Sequence, residues 1–262
     1  MMMKNRISVT LALVALLAFV AGSAQATTIG FVGAAGVNAD LPVGYASNIA
    51  ADGAGWTTSD GTGATPDVAL YWGGAPDTTG WDWEFHSAGT FEFVEALNAG
   101  GAWDAVSPPG TNAVAQFQHQ YTAPHEIKFS VPAGVAVILN SFDIGNATDQ
   151  TLAESPYGFD IALIRDSDTA TVWSHSTPLW DATVAKGGTG GIREESVPVN
   201  YTGDLGESYT LRFTAVYGST VTSAQTWRTG LDNLSFSQVP EPTSLALAAL
   251  CGLGIVVRRR RS

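Results

Sequence analysis

The sequence is poor in cysteine and in basic side chains. Cys251 is the only cysteine among 262 residues, so the chain can form no internal disulfide and no site of several thiolates. Basic residues number 12 against 24 acidic ones, and half of them lie at the two ends. Between Arg6 and Arg258 six basic side chains stand against 24 acidic ones, a net charge of −18. Such a surface repels phosphate backbones, which excludes nucleic acid as an expected partner.

Catalytic signatures are also missing. The segment HQYTAPHE holds two histidines and a glutamate, but Pro124 prevents the helical i, i+4 pairing that zinc peptidases use. Neither a G-x-S-x-G elbow nor a G-x-x-x-x-G-K phosphate loop occurs. A glycosidase requires two carboxylates at a defined separation, and no feature of the sequence distinguishes such a pair among the acidic residues. The sequence therefore predicts a protein that is not an enzyme, and the alternative of a secreted carbohydrate-active enzyme stays open.

The N-terminus is typical of a secretory signal peptide. MMMKNR is basic, ISVTLALVALLAFVAG is apolar and uncharged, and AQA places small residues at Ala24 and Ala26. This order predicts export, with residues 1–26 as signal peptide and cleavage after Ala26. An uncleaved membrane anchor is the alternative.

The body, residues 27–238, is rich in turn formers. The chain has 29 glycines and 12 prolines, and short apolar stretches recur every ten to twenty residues between Gly, Pro, Asn and Asp. Residues 27–80 are loop-rich, with strands expected in TTIGFV and PDVALYW. We predict one all-β domain, an antiparallel β-sandwich with jelly-roll topology. A two-sheet sandwich of another topology is the alternative.

Alternation in the second half supports strands. In HEIKFSVP the apolar Ile127, Phe129 and Val131 share one face, and in YTLRFTAVY every second residue is apolar or aromatic. GVAVILNSFDIG is nearly all apolar, which favours a strand buried on both faces.

These segments, together with FDIALIRDSDTATVW and GLDNLSFSQ, resemble galactose-binding-like jelly-roll domains of exported bacterial proteins. The resemblance implies a carbohydrate-binding module that contacts extracellular polysaccharide. We expect that no cofactor is required. In related modules the aspartate of the closing strand often helps to bind a structural calcium, and Asp232 matches that position. If Asp232 shares the core face with Leu234 and Phe236 by alternation, its carboxylate needs a cation or backbone donors. The other interpretation is that Asp232 caps a turn.

Two aromatic residues are candidates for sugar stacking. In WDWEFH, Trp81 and Trp83 lie on one face of a predicted strand, with Asp82 and Glu84 on the other. Exposed tryptophans stack on sugar rings, and carboxylates accept hydrogen bonds from hydroxyls. Core packing is the competing interpretation for any one tryptophan.

The last 24 residues, VPEPTSLALAALCGLGIVVRRRRS, resemble the PEP-CTERM sorting signal. The box Val239–Pro242 includes Pro240 and Glu241, an apolar helix is expected at 244–257, and arginines occupy 258–261. The resemblance implies transfer by the export machinery, an intermediate anchored in the inner membrane, and cleavage near the box by an exosortase. The product then lies at the cell surface or in the extracellular matrix.

The residue types of this segment fit a sorting signal of this kind. The two prolines of the box cannot continue a helix and keep the backbone extended. The apolar run is shorter than the roughly 20 residues of an ordinary span, and the arginines Arg258, Arg259, Arg260 and Arg261 can snorkel and fix the end on the cytoplasmic side. A membrane anchor that is never processed would have the same topology. A structural or adhesive matrix protein without a small ligand is a further alternative for the body.

Overall fold

The computed structural model describes residues 26–31, 39–40, 44–50, 61–74, 84–87, 113–119, 124–146, 157–179, 194–218 and 227–240. Within these ranges there are 13 strands and no helix. The strands are β1 Thr27–Ile29, β2 Ala39–Asp40, β3 Gly61–Thr62, β4 Ala69–Gly74, β5 Glu84–Ser87, β6 Ala113–His119, β7 His125–Ser130, β8 Val135–Asn146, β9 Tyr157–Arg165, β10 Thr171–Ser176, β11 Glu194–Thr202, β12 Tyr209–Tyr217 and β13 Trp227–Pro240. Accordingly, none of the described residues forms a helix that could span a membrane.

The strands form two antiparallel sheets. The larger sheet has the order β11-β8-β13-β6-β5-β2, with β1 pairing with β13 and β3, and the smaller sheet has the order β10-β9-β12-β7-β4. From β6 to β13 the chain builds the two four-stranded orders β6-β13-β8-β11 and β7-β12-β9-β10. This is the strand order of a jelly roll. The predicted all-β sandwich and its jelly-roll topology are confirmed.

Aromatic rings from both sheets meet in the core. Phe142 of β8 lies 5.7 Å from Phe213 of β12, and Phe236 of β13 lies 5.5 Å from Phe129 of β7, both edge to face. All four side chains are buried. Because β7 and β12 belong to the smaller sheet and β8 and β13 to the larger one, these contacts join the sheets directly.

The N-terminal segments belong to the same core. β1 lies in the predicted TTIGFV strand and adds to the larger sheet, whereas β4 overlaps PDVALYW and forms an edge of the smaller one. Phe31, Tyr45 and Trp72 pack together with ring centroids 5.8–6.4 Å apart. The indole N–H of Trp72 donates to the Tyr45 carbonyl at 3.0 Å. The described parts of 27–80 thus pack as part of the sandwich despite their loop-rich composition.

The predicted alternation is confirmed for two strands, and the predicted burial on both faces is confirmed for a third. In β7, Ile127 and Phe129 are buried and Lys128 is exposed, and β12 alternates in the same way. β8 is buried on both faces as predicted, since Phe142 on the core side and Ala136 and Asp143 on the other side are all buried. It is central in its sheet, and the polar residues Asn140 and Asp143 on its outer side make hydrogen bonds.

Candidate processing site and acidic pair

The predicted box begins inside the last strand of the sandwich. Val239 lies opposite Ala136 of β8, and Pro240 lies opposite Val135. A proline at the end of a strand is tolerated because the missing N–H falls where the ladder stops. The box residues Glu241 and Pro242 and the arginines at 258–261 lie outside the described residues. The described part of the predicted box is therefore itself part of the folded sheet.

One turn holds both ends of the body. The Thr65 and Thr27 hydroxyl oxygens lie 2.9 Å apart in a buried hydrogen bond. Two residues later, the Asp67 backbone N–H donates to Gln238 Oε1 at 2.8 Å, and Gln238 Nε2 donates to Asp67 Oδ2 at 3.0 Å. The turn between β3 and β4 thus bonds to the start of β1 and to the end of β13.

The start of the body lies beside its end. β1 runs antiparallel to β13, and Thr27 is the register partner of Phe236. Thr27 is 0% exposed, whereas Ala26, the last residue of the predicted signal peptide, is exposed. Gly63 approaches this peptide so closely that a Cβ on it would lie 2.0 Å from the Ala26 carbonyl oxygen. The predicted cleavage bond and the predicted box therefore lie at the same end of the sandwich.

The turns at this end of the sandwich carry several acidic side chains. The Gly206 N–H donates to the Val135 carbonyl at 2.7 Å, which places the β11–β12 turn beside the start of β8. We define the acidic end as this region, with two cations, Lys128 and Arg165, and five carboxylates, Asp67, Asp166, Asp168, Asp204 and Glu207. Lys128 contacts Asp166 at 2.7 Å, and Arg165 contacts Asp168 at 2.7 Å and Asp204 at 3.3 Å. Among the described residues of this end the acids outnumber the bases, so together they carry a net negative charge.

Two interactions order the acidic end. A hydrogen bond from the Arg165 guanidinium, with its charge, lowers the pKa of the Asp168 carboxyl, which stays ionised at neutral pH. The Asp204 backbone N–H donates to the Tyr209 hydroxyl oxygen at 2.8 Å. Burial raises the pKa of Tyr209 to about 12, so the phenol stays neutral and continues to accept this bond.

Asp232 lies next to a second carboxylate. It is 1% exposed and sits opposite Asp143 of β8, which is 7% exposed. Asn233 bridges the pair, because its backbone N–H donates to Asp232 Oδ1 at 2.7 Å and its side-chain Nδ2 donates to Asp143 Oδ2 at 2.8 Å. Among the described residues, no group of three or more His, Cys, Asp or Glu side chains could hold a metal ion. The oxygen-rich pair is chemically suited to a hard cation, but two of its oxygens already accept hydrogen bonds.

The alternation that placed Asp232 on the core face was wrong. Phe142 and Ile144 face the core between the two sheets, so Asp143 between them lies on the opposite face of its sheet. Its cross-strand partner Asp232 lies on that same face, and both carboxylates are buried there. The register of β13 shifts between Asp232 and Ser235, where Asn233 has a φ of 48°. This β-bulge adds one residue to β13, so Leu234 faces the core although Asp232, two residues earlier, does not. Asp232 does not cap a turn either, because β13 begins earlier, at Trp227.

Other predicted site residues lie outside the described part of the chain. These are Trp81, Trp83 and Ala24. The turn at 65–67 and its partner Gln238 were missed by the sequence reasoning. The Thr-Pro-Asp order is a turn signal. No local pattern, however, indicates a contact across 171 residues.

The C-terminus is the part of the chain that matches a known family. Residues 238–261 match the family model described as the PEP-CTERM protein-sorting motif. The C-terminal segment is a PEP-CTERM sorting motif. This motif indicates an exported protein directed to the cell surface. Its first three residues, Gln238 to Pro240, belong to β13, so the motif overlaps the folded body.

No curated protein matches the sequence. Solved structures with similar strand arrangements include Caldicellulosiruptor saccharolyticus CBM27-1 in complex with mannohexaose, at 12% identity and a TM-score of 0.31, covering 50% of this chain and 78% of that one. The K1 cleaved adhesin domain of Lys-gingipain from Porphyromonas gingivalis W83 is 13% identical, with a TM-score of 0.33 and coverage of 66% and 90%. VP2 of infectious bursal disease virus is 10% identical, with a TM-score of 0.31 and coverage of 83% and 54%. Likenesses this weak carry no information on ligand or activity.

Proposed function

We propose that the chain is an exported, non-enzymatic surface protein whose jelly-roll body is delivered through its PEP-CTERM motif and separated from its membrane segment by an exosortase. The observation that carries this proposal is the motif itself at residues 238–261, directly continuous with β13. Box, apolar run and arginine cluster occur in the order that such processing needs.

The topology of the body in the membrane-bound state follows from charge. Lys4 and Arg6 at the front, and the arginines at 258–261, are retained on the cytoplasmic side, so the body lies outside. The pairing of β1 with β13 supports an arrangement in which signal peptide and apolar segment leave from the same end. That end faces the bilayer. Because the acidic end is negative, anionic lipids repel it, and the box stays accessible between body and membrane.

The box is tested by replacing Pro240, Glu241 and Pro242 with alanine in the native host. We expect the variant to keep its apolar segment and arginine cluster and to stay in the membrane fraction, because the extended recognition sequence is lost. The wild-type body is expected outside the membrane without its arginine cluster. Immunoblotting of both fractions and the intact mass of the protein measure this. Alanine substitution of three exposed residues of the body, Thr171, Ser174 and Thr202, is the matched control. Unchanged size and release of the box variant would overturn the sorting proposal.

For the body we propose contact with extracellular polysaccharide and a structural calcium at Asp143 and Asp232. The sugar proposal is supported by the resemblance to galactose-binding-like domains. Support for calcium comes from two buried carboxylates that lie opposite each other and that both accept hydrogen bonds from Asn233. Oxygen ligands of this kind suit calcium, which would also offset the repulsion between the carboxylates.

Calcium and sugar are tested on one sample of released protein. At calcium concentrations about 100-fold above its dissociation constant, we expect about 2.7 kcal/mol of added stability, measured by urea unfolding. Asp232→Asn should abolish this response, whereas Asp160→Asn, an exposed carboxylate on the smaller sheet, should keep it. Equal stability with calcium and with a chelator contradicts the calcium proposal. A glycan array without hits, run in both conditions, favours a purely structural matrix protein.

A further inference from the structure

The end of β13 is closed by a reciprocal hydrogen-bonded pair. Gln238 is 9% exposed and lies in the ladder with β8. Its amide both accepts from the Asp67 backbone N–H and donates to the Asp67 carboxylate, at 2.8 and 3.0 Å. We call these two residues the strand clamp. Strand ends ordinarily fray at little free-energy cost, and the strand clamp opposes fraying at the point where the body meets the box.

This closure limits which peptide bonds a processing enzyme can reach. A peptidase binds its substrate as an extended segment with free backbone groups. Up to Pro240 the strand is paired with β8 along one edge, so this segment cannot enter another enzyme's cleft unless the ladder opens. Beyond Pro240 the strand ends. The folded body therefore offers no peptide bond outside this ladder between Trp227 and Pro240.

We propose that the strand clamp keeps β13 closed through Pro240 and thereby restricts processing to peptide bonds that follow Pro240. This inference rests on the proposed processing of the motif. In that step one amide bond after Pro240 breaks, its carbonyl carbon is transferred to water or to an acceptor amine, and the new α-amine leaves with the apolar segment. The released body keeps the whole of β13.

Four variants separate the contact from the recognition sequence. Asp67→Ala removes the carboxylate and leaves the sorting motif intact. Gln238→Glu places a second carboxylate oxygen against Asp67 Oδ2, where the two charges repel each other. Asp67→Asn is the conservative control, since its amide oxygen still accepts from Gln238. The double variant Asp67→Asn, Gln238→Glu exchanges donor and acceptor and restores the clamp.

Two measurements on the protein from the native host test the clamp. Mass spectrometry of released protein maps its C-termini, and hydrogen exchange reports the Val239 amide. In the wild type and Asp67→Asn we expect C-termini only at or beyond Pro240 and a protected Val239. In Asp67→Ala and Gln238→Glu we expect further C-termini before Pro240 and exchange roughly tenfold faster at Val239, because the strand end opens. The double variant should return to the wild-type pattern.

The outcomes distinguish the two proposals. Wild-type C-termini before Pro240, or the same C-termini and the same exchange in all variants, overturn the role of the strand clamp and leave sorting intact. A wild-type protein that keeps its arginine cluster overturns the processing proposal itself.

Discussion

Replacing Phe142 with alanine is expected to destabilise the body by about 3–5 kcal/mol. Phe142 is fully buried on β8 and contacts Phe213 edge to face at 5.7 Å and Trp173 at 6.5 Å, so its ring joins the two sheets. A truncated side chain leaves a cavity that the surrounding strands cannot fill without shifting. Domains are stable by only about 5–15 kcal/mol, and this body has no disulfide to support it. Urea unfolding of the purified protein measures the change.

Leu205→Ala is the matched control for Phe142→Ala. Leu205 is 48% exposed in the β11–β12 turn, so its truncation should change the free energy of unfolding by no more than about 0.5 kcal/mol. Equal effects of the two substitutions would mean that Phe142 is not in the core that joins the sheets.

Gly63→Ala is expected to release β1 from the sheet. Gly63 has a φ of 110°, a backbone conformation that alanine rarely adopts, and strain of this kind costs about 1–3 kcal/mol. A Cβ there would lie 2.6 Å from the Thr27 Cα, so the clash persists even after removal of Ala26 with the signal peptide. If β1 undocks, the buried Ile29 is exposed at a further cost of about 1.5–3 kcal/mol. Unfolding by urea and hydrogen exchange of β1 measure both effects.

The control for this glycine is Gly73→Ala. A Cβ on Gly73 of β4 would meet nothing within 4 Å, and its φ is not positive. Its stability should therefore stay within about 0.5 kcal/mol of the wild type. Full protection of the β1 amides in Gly63→Ala would contradict the close approach of Gly63 to the start of the body.

The general architecture followed from local patterns. Alternation in HEIKFSVP and YTLRFTAVY predicted β7 and β12 because each strand has one face on the core. The regular spacing of turn residues predicted a sandwich. The motif at the C-terminus was predictable because box, apolar run and arginines are all local features.

The features that local patterns did not predict depend on strand register and on pairing between residues far apart in the sequence. A single inserted residue at Asn233 reversed the predicted face of Asp232, since the side-chain period of a strand is two. Its pairing with Asp143, 89 positions earlier in the sequence, could not be derived from either segment alone. The same holds for the strand clamp, whose two residues come together only when β4 and β13 have joined their sheets.

The most direct test of processing through the motif is the intact mass of the wild-type protein recovered from outside the cells of its native host. A mass that corresponds to a chain beginning at Thr27 and ending between Pro240 and the apolar run would agree with removal of both membrane segments. A released protein that still carries Arg258 to Arg261 would contradict the account.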